Sequence, residues 1–173
     1  MQADDAELDA LVAQLAERLS ARSWTVVTAE SCTGGWIGKA LTDRPGSSAW
    51  FEGGCISYSN AMKQRMLSVD PGLLDTHGAV SRPVAEAMAI GARALAEASL
   101  SVAVTGIAGP GGGTPDKPVG TVWLAWCDAD GECRSRVEHF DGDREAIRRQ
   151  TVAAALHGLL MLTGPAGPQP VDR

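Results

Sequence analysis

Ser31 stands at the end of an apolar run and is followed by Cys32, Thr33, Gly34 and Gly35. A serine at a strand-to-helix turn exposes its hydroxyl beside the free N–H groups of a helix start. Such N–H groups receive a phosphate or stabilise an oxyanion. The chain's one tyrosine, Tyr58, precedes Lys63 by five residues, about one helical turn. If the strands ahead of Ser31 and Tyr58 are neighbours, Lys63 approaches Ser31. A lysine desolvated in a cleft serves as the base a serine nucleophile needs, once its pKa falls. Plainer readings compete. Ser31 or Thr33 is equally well an ordinary helix cap, and Lys63 taken alone is a solvated surface lysine.

A third segment, Gly106 to Pro115, holds Gly109, Gly111, Gly112 and Gly113 just after Thr105. Glycines let a backbone approach a ligand closely. No Gly-Lys-Ser/Thr follows, so this is no P-loop. The loop runs through Pro115 and Pro118 into a strand, which excludes a dinucleotide fingerprint. A ligand-facing loop and a flexible connector both stay open. Arg144, near a helix start, reaches either a phosphate or the carboxylate of Asp141. Of Arg148 and Arg149, on successive helical positions, at least one is expected to be merely solvated. The three histidines show no metal-ligand spacing. None of Cys32, Cys55, Cys127 and Cys133 forms a C-x-x-C pair. Reduced, partly buried thiols are expected, above all at Cys55 and Cys127.

The elements that must position these groups follow from periodicity. Leu8, Leu11, Val12, Leu15 and Leu19 mark one face of a first helix. A strand over Trp24–Thr28 leads into the Ser31 turn and a helix ending near Thr42. Asp43 to Ser48 is turn chemistry. A second strand spans Trp50–Tyr58, with helical turns near Asn60 and Pro71. Ser81 caps a long helix with the stripe Val84, Met88, Gly91 or Ala92, and Leu95. Leu100–Thr105 is a buried strand. Val119–Cys127 and Cys133–Phe140 form a hairpin around Asp128-Ala129-Asp130-Gly131. Asp143 caps a last helix facing inward through Ile147, Val152, Leu156, Leu159 and Leu160. This order predicts a layered α/β domain with a mixed sheet. Sites in open α/β sheets lie at the carboxyl ends of strands, where all three unusual segments fall.

The chain's 173 residues, 45% of them hydrophobic and 21% charged, suit one packed domain and exclude a disordered chain. We expect that domain over residues 1–163, with a flexible Pro/Gly-rich tail over 164–173. A net charge of −6, with no long basic run, argues against phosphate-neutralising nucleic-acid binding. Val152–Leu162 is too short to span a membrane, and the acidic start is unlike a signal peptide. A soluble cytoplasmic protein is expected.

With these segments read, the sequence resembles the C-terminal domain family of the competence/damage-inducible protein CinA, from about Trp24 to about Leu162. The resemblance is carried by Thr28-Ala29-Glu30-Ser31-Cys32-Thr33-Gly34-Gly35, Gly46-Ser47-Ser48, Tyr58-Ser59-Asn60 with Lys63, and His77 to Ser81. Thr105 to Pro110, Lys117 to Val122 and Gly142-Asp143-Arg144 with Arg148-Arg149 complete it. It implies a three-layer α/β/α sandwich with a mixed, mostly parallel sheet. It also implies hydrolysis of the carboxamide of nicotinamide mononucleotide to nicotinate mononucleotide and ammonia, with no metal or organic cofactor, in a homodimer. Ser31 would be the nucleophile and Lys63 its base, with Tyr58 alongside. The substrate-binding set would be Thr33, Gly34, Gly35, Ser48, Thr105, Gly106, Gly109 and Arg144. The pair Ala61-Met62 departs from the more polar residues often seen before the lysine.

The expected mechanism is a serine acyl-enzyme. Amides of the 32–35 turn would hold the oxyanion, and burial together with Arg144 would lower the lysine pKa, with no carboxylate in contact. Three rival classes remain at this stage. A nucleotide-binding module without catalysis would have no need of the Ser31/Lys63 pair. An interaction module tied to competence or DNA damage would need an apolar patch rather than a cleft. A hydrolase using Cys32 would need a base that no histidine supplies.

Overall fold

The first leucine stripe folds as α1 (Asp5–Arg22), capped by the Asp4 carboxylate on the Glu7 amide. Leu8, Leu11, Val12, Leu15 and Leu19 are all buried, as their spacing predicts. The computed structural model describes residues 4–164, so beyond Gly164 the expected tail falls outside the described residues. After α1 come β1 (Val26–Glu30), α2 (Trp36–Asp43), a 3-10 turn (Ser47–Ala49), β2 (Phe51–Ile56), α3 (Asn60–Leu67), α4 (Pro71–His77), α5 (Arg82–Ala96), β3 (Leu100–Gly106), β4 (Thr121–Cys127), β5 (Cys133–His139) and α6 (Arg144–Thr163).

The sheet order is β2-β1-β3-β4-β5. β1 pairs in parallel with β2 and β3, while β3–β4 and β4–β5 are antiparallel. The sheet is mixed as expected, its pairings divided evenly between the two kinds. Alternate strand residues face opposite layers. Val26, Val102 and Leu124 pack under α1 and α6, while Val27, Ala103 and Ala125 pack under α5. Every residue of β1 is buried, as a central strand covered on both faces requires. β1 begins two residues later than the sequence suggests, so Glu30 closes it and Ser31 leaves it directly.

Two expectations fail. Leu95 is 61% exposed: the buried face of α5 is the broader set Val84, Ala85, Met88, Ala89 and Ala92, and Leu95 lies at its margin in the last turn. Cys127 is not a free thiol, because the β4–β5 register places it opposite Cys133, with Cα atoms 4.1 Å apart, and the two form a disulfide. Cys32 and Cys55 are free and buried. Among the described residues no helix is long and apolar enough to cross a membrane.

Gly91 lets α5 lie against the last turn of α3. A Cβ there would run into the carbonyl oxygen of Leu67, which is backbone and cannot turn aside. Gly91→Ala should therefore destabilise the fold by about 2–3 kcal/mol, as overpacking does, despite alanine's better helix propensity. A thermal melt no lower than the parent's would show that α3 and α5 separate at no cost.

Candidate active site

β1 and β2 are parallel neighbours, so their carboxyl ends deliver Ser31 and the Ser57-Tyr58 segment side by side. The chain then turns into α3, whose N-terminus is capped by the Ser59 hydroxyl on the Met62 amide. The first turn of α3 carries Lys63 back beneath the turn. Lys63 is 1% exposed, and its Nζ lies 3.0 Å from Ser31 Oγ, 2.8 Å from Ser57 O and 3.1 Å from Tyr58 O. A neutral amine has two hydrogens and one lone pair. With both hydrogens given to the two carbonyls, the lone pair faces the serine hydroxyl. Burial pushes the Lys63 ammonium down to about 8, because desolvation penalises the charged form. Arg144, expected to assist in this, is not among the causes.

Ser31 itself is buried, at 8% exposure. Its neighbour Cys32 is a poor rival nucleophile, since burial pushes its thiol up to about 12 and the thiolate is the reactive form. The turn that follows is fixed by Glu30, a fully buried carboxylate. One of its oxygens accepts from Thr33 Oγ1 at 2.6 Å and from the amides of Gly35 and Ile37 at 3.1 and 3.0 Å. The other accepts from the Gly38 amide at 2.8 Å. Gly34 and Gly35, with φ of +59° and +99°, supply the left-handed steps of this turn.

Glu30 changes what the turn offers. The free amides expected at the helix start are not free: the carboxylate already occupies the N-terminus of α2. Gly34 N–H is also spent, on Ser31 O at 3.1 Å. Among the described residues, only the amides of Cys32 and Thr33 in this turn lack an oxygen acceptor, which narrows the expected oxyanion donors to two. The Thr33 hydroxyl belongs to Glu30 and is not open to substrate. Glu30 was not singled out from the sequence. The one signal there is an acidic residue four positions ahead of the Gly-Gly pair that opens the helix, where negative charge is favoured.

The glycine loop forms the other wall. A cleft of about 240 Å³ lies between Cys32 and Tyr58 on one side and the 106–112 loop with Arg144 on the other. Arg144 donates to Gly109 O at 2.8 Å and to Tyr58 Oη at 3.3 Å, tying loop to tyrosine. It does not pair with Asp141. Gly106 is required where it stands, since a Cβ would meet Val122 Cγ2 at 2.6 Å. Thr105 is 1% exposed, and its hydroxyl donates to Ala79 O at 2.9 Å, so it braces the strand end rather than facing the cleft. Ser48 is not brought to this site. It is exposed on the 3-10 turn before β2, and β1 and β2 run parallel, so it lies at the opposite end of the sheet from Ser31. A larger hollow of about 330 Å³, lined by Trp36, Lys39 and Arg149, lies against α1 and α2 and has neither Tyr58 nor the glycine loop in its lining. Among the described residues no three His, Cys, Asp or Glu side chains are grouped to hold a metal.

Tyr58 holds Lys63 through its main-chain carbonyl, while its ring is largely exposed and its hydroxyl, among the described residues, meets only Arg144. Tyr58→Phe should thus raise the KM for a bound nucleotide severalfold and leave kcat within about threefold. A collapse of kcat with KM unchanged would instead make the phenol a proton donor.

The chain is similar to proteins of the same size. It is 54% identical over 155 residues to the nicotinamide-nucleotide amidohydrolase PncC of Escherichia coli K12, covering 90% of this chain and 94% of that one. It is 57% identical over 152 residues to the protein of the same name from Pseudomonas putida, covering 88% and 94%. Its fold superimposes on the crystal structure of the competence/damage inducible protein CihA of Agrobacterium tumefaciens with a TM-score of 0.89 and 42% identity, covering 95% of this chain and 99% of that one. The model of the CinA C-terminal domain matches residues 8–170. With its mixed sheet and its site at the ends of β1, β2 and β3, the chain belongs to the CinA C-terminal domain family.

Proposed function

We propose that this protein hydrolyses the carboxamide of nicotinamide mononucleotide through an acyl-enzyme on Ser31, with Lys63 as the base. The observation that carries this is the buried Lys63 Nζ, 3.0 Å from Ser31 Oγ with its hydrogens directed at two carbonyls. A lysine buried without a carboxylate partner destabilises the fold, and general-base chemistry is what such a group does well. The substrate class is supported by the names of relatives more than half identical over nearly their full length.

Ser31 Oγ attacks the amide carbon while its proton passes to Lys63 Nζ. The oxyanion lies against the amides of Cys32 and Thr33. Collapse breaks the C–N bond, and Lys63 returns the proton to the departing ammonia. A water then attacks the Ser31 ester, giving a proton to Lys63, which passes it to Ser31 Oγ as the ester C–O bond breaks. The acid product loses its remaining proton to solvent and leaves as the carboxylate. The nucleotide phosphate takes the glycine-loop side of the cleft. Among the described residues Arg144 spends two of its five N–H groups on the protein, and it supplies the cation there. The reaction returns a nicotinamide nucleotide to the acid form, a step of pyridine-nucleotide recycling. It needs no cofactor, and we take the working form to be a cytoplasmic homodimer.

Incubation of the purified protein with nicotinamide mononucleotide should release ammonia and nicotinate mononucleotide in equal amounts. Tight binding of the nucleotide without ammonia would favour a non-catalytic binding module.

A further inference from the structure

Arg148 has no carboxylate partner among the described residues. Its half-buried guanidinium stacks on Trp36 at 5.3 Å. It donates to two successive carbonyls of the nucleophile turn, from Nε to Cys32 O at 3.0 Å and from Nη2 to Thr33 O at 2.8 Å. In a trans peptide the C=O and N–H point in opposite directions. Carbonyls turned toward Arg148 therefore commit the N–H groups of the same two peptides, those of Thr33 and Gly34, to the far side. Gly34 N–H is taken by Ser31 O. Thr33 N–H stays open, one residue from the attacking oxygen's neighbour.

We infer that Arg148 is a positioning residue for the reaction: it orients and polarises the Cys32–Thr33 peptide so that Thr33 N–H is a stronger oxyanion donor. This rests on the Ser31 acyl-enzyme proposed above. Hydrogen bonds in series strengthen one another, and a cation on the carbonyl end draws charge from the N–H end. The cation also favours an anion forming nearby, and its charge is felt at Cys32, where it opposes the rise caused by burial. Arg149 provides the contrast. It stacks on the same ring at 4.9 Å but pairs with Asp5 and Glu145 and touches no carbonyl of the turn.

The test compares turnover of nicotinamide mononucleotide with binding of its aldehyde analogue, in which the carboxamide is replaced by a formyl group. Ser31 Oγ adds to that carbonyl carbon, the serine proton goes to Lys63, and the resulting oxyanion sits where the tetrahedral intermediate places its own. Removing an oxyanion donor costs roughly 10²–10³ in kcat, so weakening one by Arg148→Met should cost at least about tenfold, with KM changed by no more than about threefold. Aldehyde affinity should fall by the same factor as kcat/KM, while affinity for nicotinate mononucleotide holds. The pH midpoint set by Lys63 should stay in place, since burial rather than Arg148 sets it. Arg148→Lys, which keeps the charge but cannot grip both carbonyls, should recover part of the loss, and it decides the matter if Arg148→Met does not fold. Arg149→Met should match the parent.

Unchanged turnover and aldehyde affinity in both Arg148 variants would overturn the inference. So would an equal loss of affinity for aldehyde and product, which marks a collapsed cleft, or a moved pH midpoint. The underlying mechanism fails separately, if a fluorophosphonate does not label Ser31 in the parent protein.

Discussion

Ser31→Ala should abolish ammonia release from nicotinamide mononucleotide, by roughly 10⁴-fold or more, as loss of a hydrolase nucleophile does. Cys32→Ala should leave the rate within a few-fold. The two residues are adjacent, so the pair separates chemistry from simple disturbance of the turn. Ser31 Oγ has a base at 3.0 Å. The Cys32 side chain is 6% exposed, packed in the core beneath α6, with its thiol pushed up to about 12. Its loss removes a buried sulfur, which costs stability, but no reacting group. Binding of the nucleotide should survive in Ser31→Ala, because the glycine loop and Arg144 are untouched. The reverse pattern, with Cys32→Ala inactive and Ser31→Ala active, would transfer the nucleophile to the thiol.

Lys63 variants carry the second large effect. Lys63→Ala removes the base, and Lys63→Arg keeps a cation that does not deprotonate in a protein. Both should lose roughly 10³-fold or more in kcat, within the range for a general base and above it where the base also holds the nucleophile. In the parent, only the neutral amine accepts the Ser31 proton. A folded-state value lowered to about 8 means that the neutral fraction grows as pH rises through 8. kcat/KM should therefore climb with pH on a limb centred near 8 and then level, two or more units below the limb of a solvated lysine. A pH-independent rate between 6 and 9, or substantial turnover in Lys63→Arg with the parent's profile, would make Lys63 a structural cation.

The pairing of Ser31 with Lys63 was legible because it needs only two parallel neighbouring strands and one helical turn. The cap at Asp143 was legible for the same reason: it is local, accepting from the amide three residues on, whereas Ser81 stands at the start of α5 as read but gives its hydroxyl to Gly78 O and caps no amide. What the sequence concealed is non-local or concerns how a group is spent. The resemblance implies substrate binding at Thr33 and Thr105, yet the hydroxyl of one is held by Glu30 and that of the other by Ala79 O. Of Arg148 and Arg149 at least one reads as merely solvated, yet both are half-buried and bonded, Arg148 to the turn 115 positions away and Arg149 to Asp5 and Glu145. Ser48 lies in a motif that accompanies the site in sequence, but strand direction sends it to the far end of the sheet. The Cys127–Cys133 bridge depends on a hairpin register that spacing alone leaves open.

The most direct measurement is the mapping of phosphonylation by a fluorophosphonate, which reacts only with an activated nucleophile. One equivalent should bind at Ser31, activity should fall in proportion to the label, nicotinamide mononucleotide should protect, and Lys63→Ala should resist labelling. Full inactivation with the label on another residue, or full labelling of Ser31 with activity intact, would contradict a serine acyl-enzyme driven by Lys63.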